Sequence, residues 1–213
     1  PSSGIGLASN ASLMTLTKLK DIAPLLNNVR INLPTVVPTR YSTIKGINDF
    51  DKVIQNINLV LSLGLPAGIN LVYYDQTIEE ILDVAAFAAE KGMDFKILEY
   101  IFSTDWSQSR SILEVCRALS ERADSVQVLS KSVTRYNLTI KNRAISIRVI
   151  TSYCRRADAG ACIEYGEIRL LPDLSLQSCL LSDQGNIAEI PREREAWINA
   201  IRLASDRLGI CPV

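Results

Sequence analysis

The chain has 213 residues, 47% of them apolar, and its 23 basic side chains equal its 23 acidic ones. That length and composition allow a sizeable core, either in one large domain or in a main domain with a small appendage. The zero net charge excludes the strongly basic footprint of a nucleic-acid binder. No apolar run reaches the ~18 residues of a membrane-crossing helix, and no charged-then-apolar leader is read at the start.

Gly4 to Ala8 is a short apolar run that ends in the turn signal Ser9-Asn10. From Leu13 to Leu26, Leu16, Leu19, Ile22 and Leu25 or Leu26 recur at helical spacing. Val29 to Leu33 reads as a second strand, and Pro34 and Pro38 predict a loop after it. Asn48 or Asp49 is the expected N-cap of a helix to Leu63, with Gly64 as its stop. Ala67 to Tyr74 is a third expected strand. Thr77 and Glu80 spell a capping box for a helix through Lys91, closed by Gly92. Phe95 to Ile101 is the fourth expected strand. A helix between each pair of strands demands a parallel sheet with right-handed crossovers.

After Phe102 the rhythm changes. The pattern predicts a helix over Ser111 to Ala123, then short strands over Val126–Leu129, Arg135–Ile140 and Ala144–Ile150. This reads as a small antiparallel unit leading into Cys154. A closing amphipathic helix is expected from Glu193 to Leu208, anchored by Trp197, Ile198 and Ile201.

The chain holds five cysteines and no histidine. An odd, unevenly spaced set disfavours a disulfide framework and points to a reducing, cytoplasmic setting. Any soft metal or cluster must then be held mainly by thiolates. Cys154, Cys162 and Cys179 are the candidates. Cys154 and Cys162 bracket a polar loop, and Cys179 follows a strand and turn that can return beside it. Three thiolates around a [4Fe–4S] cluster leave one iron open, and Cys211 is a candidate fourth ligand. Buried core thiols and a zinc site are the competing readings. Cys116 lies on an apolar helix stripe and reads as core.

In parallel α/β sheets, ligands sit at the carboxyl ends of the strands. Ser9, Asn10, Asn32, Asn70 and Glu99 fall there. Asn32 and Asn70 interrupt apolar strands and need hydrogen-bond partners, whether backbone or ligand. Lys96 and Glu99 fall on opposite faces of one strand, so one of them should face the interior. Arg169 interrupts the apolar run Ile168-Arg169-Leu170-Leu171 and is a stronger anion-binding candidate than Arg155 or Arg156.

From Leu26 onward the chain resembles the radical S-adenosylmethionine enzymes, most closely the GTP 3′,8-cyclase family of molybdenum cofactor biosynthesis. The resemblance runs in order through VRINLPTVVPTRYSTIKGINDFDKVIQNINLVLSLGL, GINLVYY, MDFKILEYI, TRYNLTIKNRAISIRVITSYC and IRLLPDLSLQSCLLSD. It implies a partial (βα) TIM-type barrel of about four parallel strands over residues 1–102. It also implies a small α+β extension over 103–213 that carries an auxiliary [4Fe–4S] cluster.

By the same resemblance, Ser9, Asn10, Asn32, Asn70, Lys96 and Ile101 contact S-adenosylmethionine. Arg169 and Glu99 meet the substrate, and Cys154, Cys162 and Cys179 ligate the auxiliary cluster. In the family a reduced cluster splits the cofactor, and the resulting radical abstracts hydrogen from the substrate. The expected partners are a small molecule such as GTP, a reductant protein and a second copy in a homodimer, with no nucleic acid and no membrane.

The departures from the family are specific. The C-x3-C-x2-C motif of the catalytic cluster is expected upstream, so the chain reads as the C-terminal two-thirds of an enzyme and as inactive alone. Seven residues separate Cys154 from Cys162 where two do in the family. Gly68 stands where the family has a lysine, and Glu167 where it has a second arginine. These keep a peptide or other small-molecule substrate open, and also a non-catalytic cluster- or metal-binding module.

Overall fold

The computed structural model describes residues 4–100, 111–140, 142–152, 163, 168–179 and 193–207. They fall into two compact units, one holding residues up to 100 with 111–151, the other those from 152 onward. The first unit is built on β1 (Ile5–Ser9), β2 (Leu26–Asn32), β3 (Ala67–Tyr73), β4 (Asp94–Glu99), β5 (Ser125–Ser130), β6 (Val133–Ile140) and β7 (Arg143–Ile150). They form one sheet in the order β1-β2-β3-β4-β7-β6-β5. Strands β1 to β4 pair in parallel, as the alternating pattern requires. The expected antiparallel strands also form, and β7 pairs in parallel with β4, adding them to the same sheet.

Helix starts and stops follow local chemistry. Helix α1 (Leu16–Ile22) begins at Thr15, whose hydroxyl accepts from the Lys18 N–H at 3.3 Å. The leucine spacing predicts a helix through Leu26, but the last residues form a 3-10 turn (Ala23–Leu25) and Leu26 opens β2. Pro24 is the reason, since it has no N–H to continue the helical ladder.

A second correction concerns Pro38. The two prolines predict a loop, yet helix α2 (Pro38–Lys45) starts there. In the first turn the missing N–H has no partner to lose. Gly46, at φ 70°, closes the helix in the left-handed region. Only Tyr41 of α2 is buried, so no apolar stripe marks it in the sequence.

Helix α3 (Phe50–Ser62) follows Asp49, whose side chain makes no cap bond. Helix α4 (Ile78–Glu90) carries the full capping box. The Glu80 N–H donates to the Thr77 hydroxyl, and the Thr77 N–H donates to the Glu80 carboxylate at 2.9 Å. Helix α5 (Leu113–Ser120) precedes β5.

One face of the sheet makes the core. Val29, Ile31, Ile69, Leu71, Phe95, Ile97, Ile147 and Val149 are buried there, in one cluster with Leu19, Tyr41, Ile57, Ile81 and Leu119 of the helices. At ~25 cal/mol per Å² of apolar area, this layer is the main favourable contribution of the unit.

In the second unit, β8 (Arg169–Leu170) and β9 (Leu176–Gln177) form an antiparallel pair. Asp173 holds their turn, accepting from the Ser175 N–H at 2.9 Å and its hydroxyl at 2.7 Å. Helix α6 (Arg194–Asp206) falls within the expected closing helix, but two of its expected anchors, Ile198 and Ile201, are exposed; Leu176, Ala200 and Ala204 form the small core, with Trp197 packed against it. Among the described residues, no helix is long and apolar enough to cross a membrane.

Candidate functional site

The second face of the main sheet is polar. Strand side chains alternate between faces, so the buried series Val29, Ile31, Leu33 sends Arg30 and Asn32 to the other side. In register across the strands stand Ala8, Arg30, Gly68 and Asp94 in one row. The next row toward the strands' carboxyl ends is Asn32, Asn70, Lys96 and Arg148. A sheet with helices on both sides would show near-continuous apolar strands. Here only one side does.

In the first row, the Arg30 side chain lies across Gly68. A Cβ placed on Gly68 would fall 1.9 Å from Arg30 Nη1, which no structure tolerates, so the missing side chain is what admits the guanidinium. Arg30 Nη2 donates to Asp94 Oδ2 at 2.8 Å, and Arg148 Nη2 donates to the same oxygen at 2.5 Å. Burial would raise the Asp94 pKa, but the Arg30 hydrogen bond and the charges of Arg148, Arg30 and Lys96 outweigh it and hold the carboxyl below its ordinary value. Arg30 Nη1 is buried and has no hydrogen-bond partner.

In the second row, Asn32 Nδ2 donates to the Asn70 carbonyl at 3.2 Å, tying β2 to β3 by a side chain. Lys45, from the last turn of α2, donates to Asn32 Oδ1. Both lysines of the site are half-buried. Burial lowers the Lys45 pKa against the pull of Asp49. Burial also lowers that of Lys96, and Arg30 and Arg148 lower it further. Asn70 Oδ1 is buried and has no hydrogen-bond partner. A buried acceptor in that state fits a ligand carrying an N–H or O–H donor.

The remaining expected residues are distributed as follows. Ser9 and Asn10 end β1 and shape the next turn: the Ala11 N–H donates to Ser9 Oγ at 3.0 Å, and the Ser12 N–H to Asn10 Oδ1 at 3.1 Å. Ala11 adopts φ 62°, unusual for a residue with a side chain. Glu99 stands on the helix-covered face, opposite Lys96; burial raises the Cys116 pKa, and the nearby Glu99 charge adds to the rise. Arg169 is half-buried in β8, paired with Gln177, and Cys179 is a half-buried free thiol two residues beyond β9. Cys154, Cys162, Cys211 and Ile101 lie outside the described residues. Among the described residues no group of three or more ligating side chains is gathered for a metal.

Sequence reading picked out Asn32, Asn70 and Lys96 but missed Arg30, Asp94, Arg148 and Lys45. Strand alternation places Arg30 and Arg148 on the polar face, but Asp94 lies before the expected start of its strand, and only the register brings the three together. Lys45 was hidden because α2 was read as loop.

No protein-family model matches the chain. The resemblance read from the residues is borne out by curated relatives. The chain is 26% identical over 185 residues to the probable GTP 3′,8-cyclase of Sulfurisphaera tokodaii, covering 83% of this chain and 56% of that protein. It is 27% identical over 192 residues to that of Methanocaldococcus jannaschii, covering 87% and 61%. The figures for that of Methanococcus vannielii are 28%, 87% and 63%. The chain thus spans less than two thirds of the length of these relatives. In fold it is similar to Streptococcus suis SuiB bound to S-adenosylmethionine, with a TM-score of 0.62, 15% identity, and coverage of 97% of this chain and 50% of that one. The same protein bound to the precursor peptide SuiA gives a TM-score of 0.61 at 14% identity, covering 94% and 47%.

Proposed function

We propose that the chain is part of a radical S-adenosylmethionine enzyme similar to GTP 3′,8-cyclase, and that its parallel strands form a portion of a (βα) barrel wall. The observation that carries this reading is the two-faced sheet. Helices cover one face, while the other presents Asn32, Asn70, Lys96 and Arg148 in a row toward the strands' carboxyl ends, the end at which barrel enzymes hold their ligands. Asn32, Asn70 and Lys96, with Ser9, Asn10 and Ile101, would hold S-adenosylmethionine. The buried Asn70 Oδ1 suits the amine or hydroxyl donors of such a cofactor. When bound beside a reduced cluster, the cofactor supplies the radical that removes hydrogen from an unactivated carbon. The part left to this chain is to bind, orient and exclude water.

Cys154, Cys162 and Cys179 would hold the auxiliary [4Fe–4S] cluster. With no histidine in the chain, an all-thiolate donor set fits iron–sulfur chemistry. Arg169 would contact the substrate, a small molecule of the GTP type, in a cytoplasmic enzyme supplied by a reductant protein, whereas Glu99 stands on the helix-covered face. Gly68, in the place of a family lysine, favours a second reading in which another small molecule or a peptide is the substrate.

Anaerobic reconstitution with iron and sulfide tests the proposal. We expect a brown iron–sulfur absorbance that Cys179→Ala abolishes, and S-adenosylmethionine binding that Asn70→Ala weakens about tenfold, the scale of one lost hydrogen bond. Stoichiometric zinc with no iron uptake would sink the cluster assignment.

A further inference from the structure

We infer that Asn56 is a positioning residue for the ligand site: from helix α3 it holds the turn Ser9–Ser12 in a left-handed shape that presents Ser9 and Asn10 beyond the end of β1. The inference rests on the reading that these two residues contact S-adenosylmethionine. Asn56 acts through the turn and not by touching the ligand.

Asn56 breaks the pattern of its helix. Val53, Ile57 and Val60 of α3 are fully buried in the apolar cluster, and Asn56 lies among them, 8% exposed. A buried amide in such a place costs free energy unless it is hydrogen-bonded. Its Nδ2 donates to the Ala11 carbonyl at 2.7 Å, 45 residues back along the chain. Packing alone would favour an apolar side chain here, so the bond is the reason for the amide.

The acceptor is equally unusual. Ala11 is fully buried at φ 62°, in the left-handed region that a Cβ disfavours. A residue keeps such a conformation only where its surroundings over-determine it. Local bonds do part of this. The Ala11 N–H donates to Ser9 Oγ at 3.0 Å, and the Ser12 N–H and hydroxyl both donate to Asn10 Oδ1, at 3.1 and 2.9 Å. The Met14 N–H donates to the Ala11 carbonyl at 3.3 Å. Asn56 adds a clamp from a second element, and its bond is the shortest of the set.

The clamped turn also sets what it offers a ligand. The Ser9 and Asn10 side-chain oxygens are engaged within the turn, which leaves the Ser9 O–H and the Asn10 Nδ2 amide as donors. Ser9 is half-buried and Asn10 exposed. Donors at a strand's carboxyl end suit the carboxylate or hydroxyl oxygens of the cofactor. Relaxation of Ala11 to a negative φ would open the turn and redirect both.

The test uses the whole chain, reconstituted anaerobically with iron and sulfide and titrated calorimetrically with S-adenosylhomocysteine. Hydrogen exchange of the Ser12 and Met14 amides, followed by NMR without ligand, reads the turn itself. Asn56→Leu keeps the volume and removes the donor. It should weaken S-adenosylhomocysteine binding about tenfold, the scale of one lost hydrogen bond, and quicken the exchange. Ala11→Gly, which adopts the left-handed region freely, should recover most of both losses in the Asn56→Leu background. A packing role for Asn56 predicts instead a change in stability that the glycine does not reverse. Circular dichroism identifies any variant that fails to fold, and Asn56→Ala then stands in with the same expected directions. Unchanged exchange in folded Asn56→Leu, or no recovery in the double variant, would overturn the clamp. Binding that is equal in wild type and Asn56→Leu would overturn the positioning role and leave the cofactor reading standing. A wild type that does not bind, with exchange changing as expected, would sink the cofactor reading and leave the clamp standing.

Discussion

The two faces of the seven-stranded sheet are made by the same strands and differ in almost every physical respect. On one, Ile97 is fully buried in a continuous apolar layer. On the other, its chain neighbour Lys96 is half-buried with Arg30 and Arg148 beside the exposed Asp94. One residue along the backbone separates a group that holds the fold together from a group the fold must tolerate. The difference teaches that stability and ligand chemistry are separated here by strand parity, not by domain.

The largest expected effect tests that separation directly. Ile97→Ala should cost about 2–5 kcal/mol by urea denaturation, the range for truncating a fully buried isoleucine. Lys96→Met should change stability by less than ~1 kcal/mol, in the stabilising direction, since it removes a desolvated, repelled cation. Comparable losses at both positions would break the two-face picture.

Gly68→Ala comes next. The new Cβ meets the Arg30 guanidinium and lies 3.0 Å from Asp94 Cβ, so a loss of about 1–3 kcal/mol is expected. In the Arg30→Ala background the same change should be close to neutral. A double-mutant cycle by urea denaturation reads the coupling, and additive losses would show that Arg30 does not depend on the glycine.

A third change tests the helical layer. Thr77→Ala removes half of the capping box of α4 and should cost about 1 kcal/mol. Urea denaturation reads the loss, and an unchanged midpoint would show that the box does not hold the helix.

The smallest effect is pH-dependent. Asp94 has a folded pKa below its ordinary value of 3.8, so the unfolded chain binds the extra proton first. Its contribution is complete above that value and is lost as pH falls through the folded pKa. The side chain is 56% exposed, so solvent screening keeps the effect small. Acid titration of wild type against Asp94→Asn should show the variant losing less stability below pH 3.8, and parallel curves would contradict the ion pairing.

Much of the fold was legible because its signals are local. The Thr77–Glu80 box, the glycine stops at Gly64 and Gly92, and the periodic stripes of α3 and α4 each act within a few residues. The end of α1 at Pro24 and the start of α2 at Pro38 were misread, although the same missing N–H explains both: it interrupts a helix interior and is harmless in a first turn. The site was half legible. Asn32, Asn70 and Lys96 stand out because they interrupt apolar runs. Arg30, Asp94 and Arg148 come from β2, β4 and β7, and only the register brings them together. No composition or spacing reports that Arg30 lies across a neighbouring strand's glycine.

The pairing of β4 with β7 has a kinetic consequence. Within the β5–β6–β7 meander, partners such as Ile140 and Arg143 are nearly adjacent in the chain, so closing them costs little loop entropy. Phe95 and Ile147 pair only after the whole intervening segment is gathered, and each parallel pair from β1 to β4 must enclose a helix. Local contacts form fast and distant ones slowly. The meander is therefore the natural template, and the parallel strands should add to it through β4, so mutations in β6 and β7 should slow folding while those in β1 should chiefly speed unfolding.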